Sequence, residues 1–440
     1  MRKPYLTSRY ARPAMALIAV LWIAALMTAL VSVAAQTSLL DSRVSQIENE
    51  KHRTRWACRG GVETAIALLL EDDRAYDSLI DIWADNPLEL EALDFDGAQV
   101  TVQVVDAASK LNVNTASRNQ LLALPDMTED IADSILDWID SDDDVRTGGA
   151  ESGYYLSLDF GYEARNGRMR TIRELLRVKG VTEDLFYGHA EQHLLAADNE
   201  GWIHYLTCVS RQVNQDADGN ARININRADE RTLMRELDLT EGQARWIVEN
   251  RQFDSLGDLI GQAVPADRQR PGPAQNQPPR QDPRQNQTDN RNPNNNNNNN
   301  NEDDRPAVEP LDVKTVLERA DRITLSRRRT IWGQVNINTA DLQVLTALFE
   351  GNRELALETI AARQTLGGAF VDFSDLLHIE ALTQDILRRY LDQMTIRSDI
   401  FEIHATAVSQ ATELTWSVEA IVNRQAQQGQ VAYWREGISR

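Results

Sequence analysis

Five acidic side chains crowd one short stretch: Asp140, Asp142, Asp143, Asp144 and Glu151, with Gly148 and Gly149 between the last two. Carboxylates packed this densely repel one another. They are also the hard oxygen donors that Ca2+ collects, six to eight of them at about 2.3–2.6 Å. The stretch reads as a Ca2+ site or as a solvated acidic loop, and which of the five acids ligate is left open. A second acidic stretch, with Asp216, Asp218 and Gly219, begins like an EF-hand loop, but Ile225 stands where the closing Glu belongs. It reads as a polar turn between 205–213 and 222–225. His189 and His193 share helical spacing without an HExxH pattern and read as a helix face. With no glycine-rich phosphate loop and no nucleophile elbow, the chain reads as a non-enzyme. Two cysteines, Cys58 and Cys208, exclude a disulfide framework and leave either one bridge or two buried thiols.

The elements that must position the acidic stretch belong to an internal repeat. Leu-Asn-Val-Asn-Thr-Ala-Ser at 111–117 returns as Ile-Asn-Ile-Asn-Arg-Ala-Asp at 223–229 and as Val-Asn-Ile-Asn-Thr-Ala-Asp at 335–341. Each copy leads into apolar residues at helical spacing: Leu121, Leu122 and Leu124, then Leu233 and Leu237, then Leu345 and Leu348. A second helix follows, marked by Ala132 and Ile135, Ala244 and Ile247, and Ala356 and Ile360. A short closing helix carries Leu175-Leu176, Leu259-Ile260 and Leu376-Leu377. Thr171 and Glu174, Ser255 and Asp258, and Asp372 and Asp375 stand three apart at its start, as in a capping box.

Around the repeats the chain changes character. Residues 1–14 carry Arg2, Lys3, Arg9 and Arg12, and 15–35 are almost wholly apolar, long enough to span a bilayer core of about 30 Å. The basic flank places the N-terminus in the cytoplasm. A cleaved secretory signal is the alternative, but the apolar run exceeds the usual h-region of about 7–15 residues. Residues 36–75 continue as an amphipathic stem, with Val44, Ile47, Ala57, Val62, Ala65, Ile66 and Leu69 as its stripe. Alternation at Val100, Val102 and Val104, at Phe401, Ile403, Ala405 and Ala407, at Trp416, Val418, Ala420 and Val422, and at Val431 and Tyr433 predicts strands within 96–108 and 396–438. Repeats one and two fill 109–261. A Pro-, Gln- and Asn-rich stretch, 262–310, predicts a disordered linker, and 311–395 carries repeat three.

Two groups of residues resemble a known family. Ala14-Met15-Ala16-Leu17-Ile18-Ala19 is similar to the processing site of type IV pilin-like proteins, with Ala14 before the cut and Met15 after it. Ala19 stands where most of that class carries Glu, as in the minor pseudopilin K branch of type II secretion. The helix ending Asp137-Trp138-Ile139-Asp140, the acidic loop, Gly149-Ala150-Glu151, the Tyr154-Tyr155 pair, Glu174-Leu175-Leu176 and Val178-Lys179-Gly180 also resemble pseudopilin K. The resemblance implies an α+β fold: a long N-terminal transmembrane and stem helix, a pilin-like antiparallel sheet, and a large inserted α-helical domain of helix-hairpin-helix-like repeats. It implies a tip role in a periplasmic pseudopilus, with the minor pseudopilins I and J, prepilin peptidase and the inner-membrane secretion platform as partners. It also implies Ca2+ in the helical domain. The mature chain would sit in the bacterial inner membrane through 15–35, with its bulk in the periplasm.

The repeats also resemble the helix-hairpin-helix units of membrane-bound DNA-uptake receptors, which share the Asn-x-Asn-Thr-Ala start. DNA-binding hairpins bring backbone amides to a phosphate through glycines. Here the hairpins 124–128, 237–240 and 349–353 all carry acids, and the net charge is −21. Both argue for no nucleic-acid partner. The basic leader and Leu17-Ile18 predict cleavage between Ala14 and Met15. N-terminal sequencing of membrane-extracted protein is expected to begin at Met15; a start at Met1, or beyond Ala35, contradicts the pilin-like reading.

Overall fold

The computed structural model describes residues 13–91, 93–188, 200–261, 307–425 and 429–438. The leader up to residue 12, His189 and His193, and the linker at 262–306 lie outside them. Helix α1 (Pro13–Glu71) is unbroken. Residues 15–49 are exposed on every side, the surface that a bilayer solvates where the helix is apolar all round. The expected stripe members Val44 and Ile47 are exposed with them. The sheet reaches the helix only from Glu50, whose carboxylate accepts a hydrogen bond from the Ser409 hydroxyl at 2.6 Å. From Ala57 to Leu69 the stripe is buried.

Five strands, β1 (Leu93–Phe95), β2 (Ala98–Asp106), β3 (Ile400–Ser409), β4 (Thr415–Asn423) and β5 (Gln430–Ile438), pair antiparallel in that order. Phe401 faces Asp106 across the β2–β3 pair and Ala407 faces Val100. The alternating residues of β2, β3 and β4 are buried and form one core with α1. Gly61 permits this approach, since a Cβ there would meet the Val100 and Val102 methyls at 2.8 Å. The alternation expected on β5 does not produce burial, and Val431 is exposed. The stem lies chiefly over β2, β3 and β4, and it reaches β5 at the rim, where Trp56 lines a cleft with Val431 and Trp434 and Arg55 pairs with Glu436.

Everything between β2 and β3 is inserted, and its three repeats share one core. Each repeat opens with two extended residues that pair in parallel with two residues far along the chain. Leu111-Asn112 pairs with Leu206-Thr207, Ile223-Asn224 with Ile323-Thr324, and Val335-Asn336 with Met394-Thr395. The threonine hydroxyls of these return strands accept from the amides of Val209, Ser326 and Arg397 in turn. Ile323-Thr324 lies beyond the linker. The linker therefore interrupts repeat two rather than separating it from repeat three, and its ends meet where the Gly261 amide donates to the Leu311 carbonyl at 2.8 Å.

The paired asparagines explain the signature. The first one's side-chain amide donates to a backbone carbonyl after the return strand in repeats one and two (Ser210, and Leu325 with Ser326), and to the Asp77 carbonyl in repeat three. The second clamps the loop before the closing helix by accepting from the backbone amide there, two amides in the case of Asn226, and donating to a nearby carbonyl. Asn114 does so at Met169, Asn226 at Phe253 and Asn338 at Phe370. All three closing helices have the reciprocal cap, with Glu174, Asp258 and Asp375 accepting from the amides of Thr171, Ser255 and Asp372. Asn338 is fully buried, so its removal leaves polar backbone groups without partners. Asn338→Ala is expected to cost about 2–3 kcal/mol of stability. Asn226→Ala, at a half-buried site that water can reach, should cost less, and chemical denaturation of both variants checks the order.

Candidate metal centre

The helix Glu129–Ile139 starts on the Thr128 cap and buries Ile131, Ala132, Ile135 and Trp138. Trp138 meets Tyr155 edge-on at 5.0 Å, and Tyr155 stacks on Tyr162 at 5.4 Å. This aromatic cluster holds the short helix Ser152–Leu156 and, just before it, Glu151. The backbone reaches Glu151 over Gly149, where a Cβ would stand 1.9 Å from an Asp137 oxygen. Lys179 fixes the same turn by donating to the carbonyls of Gly148 and Gly149, both at 3.1 Å.

The result is a pocket of acids. Carboxylate oxygens of Asp137, Asp140 and Glu151 lie within 4.8 Å of one another. Asp137 and Glu151 are buried. Arg146 bridges Asp137 and Asp140, at 2.5 Å from each. Both Glu151 oxygens and one Asp140 oxygen have no hydrogen-bond partner. Burial, then the charges of Asp137 and Asp140, push the Glu151 carboxyl up to about 7. Three carboxylates against one guanidinium leave a surplus of two negative charges, which a divalent cation would neutralise. Unpaired buried oxygens, a surplus charge of two and an all-oxygen donor set fit a hard cation such as Ca2+.

Of the five acids singled out in the sequence, the structure brings Asp140 and Glu151 into this group. The other three stay on the exposed loop: Asp142 accepts from the Asp144 amide at 3.0 Å, and Asp143 from Asn166 at 3.1 Å. Asp137 joins the group although charge density did not single it out. Its signal was spacing, since residues three apart on a helix share a face, and Asp137 stands three before Asp140. Asp216 turns back on its own loop, accepting from the Asn220 amide at 2.7 Å, and 215–221 closes as a hairpin turn. Asp72, Asp77 and Asp81 also cluster, but Arg424 lies against Asp72 and Asp77 at 3.5 and 2.8 Å. Cys58 and Cys208 are free thiols in separate cores, each pushed up to about 12 by burial.

The repeat hairpins place acids at their tightest points. Asp126, Asp238 and Glu350 take left-handed backbone, with φ of 56, 52 and 52°. A carboxylate where a DNA-binding hairpin carries glycine repels a phosphate. Two of the hairpins already contact the rest of the protein: Glu350 pairs with Arg389 at 2.5 Å and Asp238 with Arg322 at 3.4 Å.

Comparison with known proteins places these segments. Residues 93–190 and 335–392 each match a family model described as type II secretion system (T2SS), protein K. The type II secretion system protein K of Pectobacterium carotovorum subsp. carotovorum is 31% identical over 113 residues, covering 21% of this chain and 34% of that protein. A putative type II secretion system protein K of Escherichia coli K12 is 29% identical over 197 residues, covering 39% of this chain and 58% of the relative. The aligned stretches thus span less than two thirds of either relative. A crystal structure of the GspK–GspI–GspJ complex of enterotoxigenic E. coli aligns over 90% of this chain and 99% of its own, with 16% identity and a TM-score of 0.46.

The Glu151 geometry has a signed consequence. Its folded-state pKa of about 7 lies above the ordinary 4.5, so the folded protein holds a proton that the unfolded chain releases between those values. Metal-free stability should therefore fall as pH rises from about 4.5 to 7 and level off above. Glu151→Gln should flatten that fall and melt higher than the parent at pH 8 in chelator. Melting curves at pH 5 and pH 8 check both.

Proposed function

Because residues 93–190 and 335–392 match the type II secretion system protein K models, we propose that the chain is a member of that family and a membrane-anchored minor pseudopilin. It stands at the tip of the pseudopilus, supports its initiation and so serves protein export. The observation that carries this reading is a single helix with two solvents. Its apolar first part is exposed all round, and its second part packs on a five-stranded sheet. Among the described residues it is the one helix long and apolar enough to cross a membrane. With a basic leader held in the cytoplasm, the sheet and the repeats lie in the periplasm. Prepilin peptidase removes the leader, and the inner-membrane platform receives the mature helix. The inserted repeats, residues 107–399, are a bulk that suits the end of a filament. There the partners are the minor pseudopilins I and J.

Ca2+ steadies that bulk. Asp137, Asp140 and Glu151 hold it, and its charge offsets the repulsion that otherwise loosens the loop at the C-terminal end of the Glu129–Ile139 helix. A cation bound only by the folded form stabilises it by about 2.7 kcal/mol at 100 times its dissociation constant. Mg2+ substitutes poorly, because it is smaller and gives up water reluctantly.

The test has two parts. Deleting the gene should stop export of a type II substrate, and restoring the chain should restore both export and co-purification with I and J; undiminished export contradicts the role. For the metal, the detergent-solubilised full chain should melt higher in millimolar Ca2+ than in chelator. Glu151→Gln should remove most of that rise, while Asp216→Asn should not. Equal melting temperatures in the two buffers, with no heat of binding, leave the pocket a structural acidic cluster.

A further inference from the structure

The chain has 67 acids and 46 bases, yet one face of the helical domain gathers arginines that no carboxylate of the described residues reaches at ion-pair distance. Arg168 lies over the Trp332 ring, 3.9 Å from its centroid, and Arg211 lies 5.1 Å from the same centroid. Register brings them together. Arg211–Val213 pairs antiparallel with Thr330–Trp332, and Arg211 faces Trp332. Burial, then the neighbouring charges of Arg328 and Arg211, depress the Arg168 pKa. Among the described residues, Arg168, Arg170, Arg211 and Arg328 have no carboxylate at ion-pair distance, whereas nearby Arg165 is held by Glu174 at 3.0 Å. Arg168, Arg170 and Arg211 rim a cavity of about 770 Å3 whose floor is Met169, Cys208 and Val209.

Like charges gathered this way are costly until an anion joins them. Stacking on an indole fixes a guanidinium plane beforehand and leaves its N–H edge free for a carboxylate gripped through two parallel bonds. The apolar floor matches the side-chain bodies of a polypeptide, which a bare phosphate does not have. A net charge of −21 repels a long polyanion, while a short segment feels mainly what lies within the screening length of about 8 Å. We propose that this cavity docks a short acidic segment of a partner polypeptide. Its carboxylates sit on Arg168 and Arg211, and an apolar neighbour sits on the Met169–Val209 floor. This goes beyond the tip role, since it gives the inserted domain a surface of its own for engaging another protein.

The experiment is fluorescence anisotropy with the detergent-solubilised full chain and a labelled peptide of alternating Glu and Leu. The expected result is binding that weakens with salt and is lost when Gln replaces Glu in the peptide. Arg168→Gln with Arg211→Gln should weaken it by about tenfold or more, the scale of losing a charge-assisted pair. The double Lys variant should fall between, having the charge without the fork. If the double Gln variant melts early, Arg168→Gln alone, at a position outside any helix or strand, carries the test and should still weaken binding several-fold. Equal binding of the Gln peptide, or undiminished binding by the variants, overturns the proposal. So does displacement by pyrophosphate or duplex DNA at lower concentration than by unlabelled peptide.

Discussion

The sheet and the inserted repeats meet at a buried ion pair. Arg424, just after β4, lies against Asp77 with its two terminal guanidinium nitrogens, each at 2.8 Å, and neither side chain has appreciable exposure. Burying two charges is repaid only as far as geometry and hydrogen bonds compensate; here the surroundings supply several, while Asp77 Oδ1 and Arg424 Nε have no hydrogen-bond partner. The Ser398 amide donates to Asp77 at 2.6 Å and Arg424 donates to the Ser398 carbonyl at 2.9 Å. Asp77 also bonds through its backbone to Ile396 and accepts from Asn336. Burial works to push the Asp77 carboxyl up, Arg424 draws it down and Asp106 adds to the rise. The pair thus ties the segment after the stem, the last return strand and the sheet to one point.

Each repeat continues the same logic on a smaller scale. A start pair and a return strand close a loop, and two asparagines satisfy the backbone that the closure strands. In repeat three the leading Asn336 also donates to Asp106, at 2.8 Å, where β2 leaves the sheet. In repeat one the closed loop is long enough to carry the acidic pocket. The acidic pocket therefore belongs to the scaffold, and Arg146, Lys179 and the Trp138–Tyr155–Tyr162 cluster fix the loop around it.

Much of this was legible in the sequence. The membrane-length helix, the alternating strands and the α+β class follow from periodicities of 3.6 and 2. The repeat was visible because its asparagines cannot be exchanged without leaving buried backbone groups unpaired. What escaped was long-range. The return strands are two residues each, too short for any periodicity, and one lies beyond the linker, so local pattern ends repeat two too early. Asp137 escaped because local acid density points to the exposed Asp142–Asp144 run, whereas the pocket is made by a helix face and a glycine turn. Val44, Ile47 and Val431 show the opposite error: their pattern is amphipathic, but among the described residues nothing packs over them closely enough to bury them.

The account turns on the claim that the Arg424–Asp77 pair couples the sheet to the inserted repeats. The direct measurement is hydrogen–deuterium exchange of the full chain in detergent, comparing the parent with Arg424→Met. Removing one partner of a buried pair strands the other charge, at a cost of about 3–5 kcal/mol. The account predicts that protection falls together in β3, β4 and the Val335–Ile396 region. Loss confined to the end of β4, with repeat three as protected as before, would contradict it.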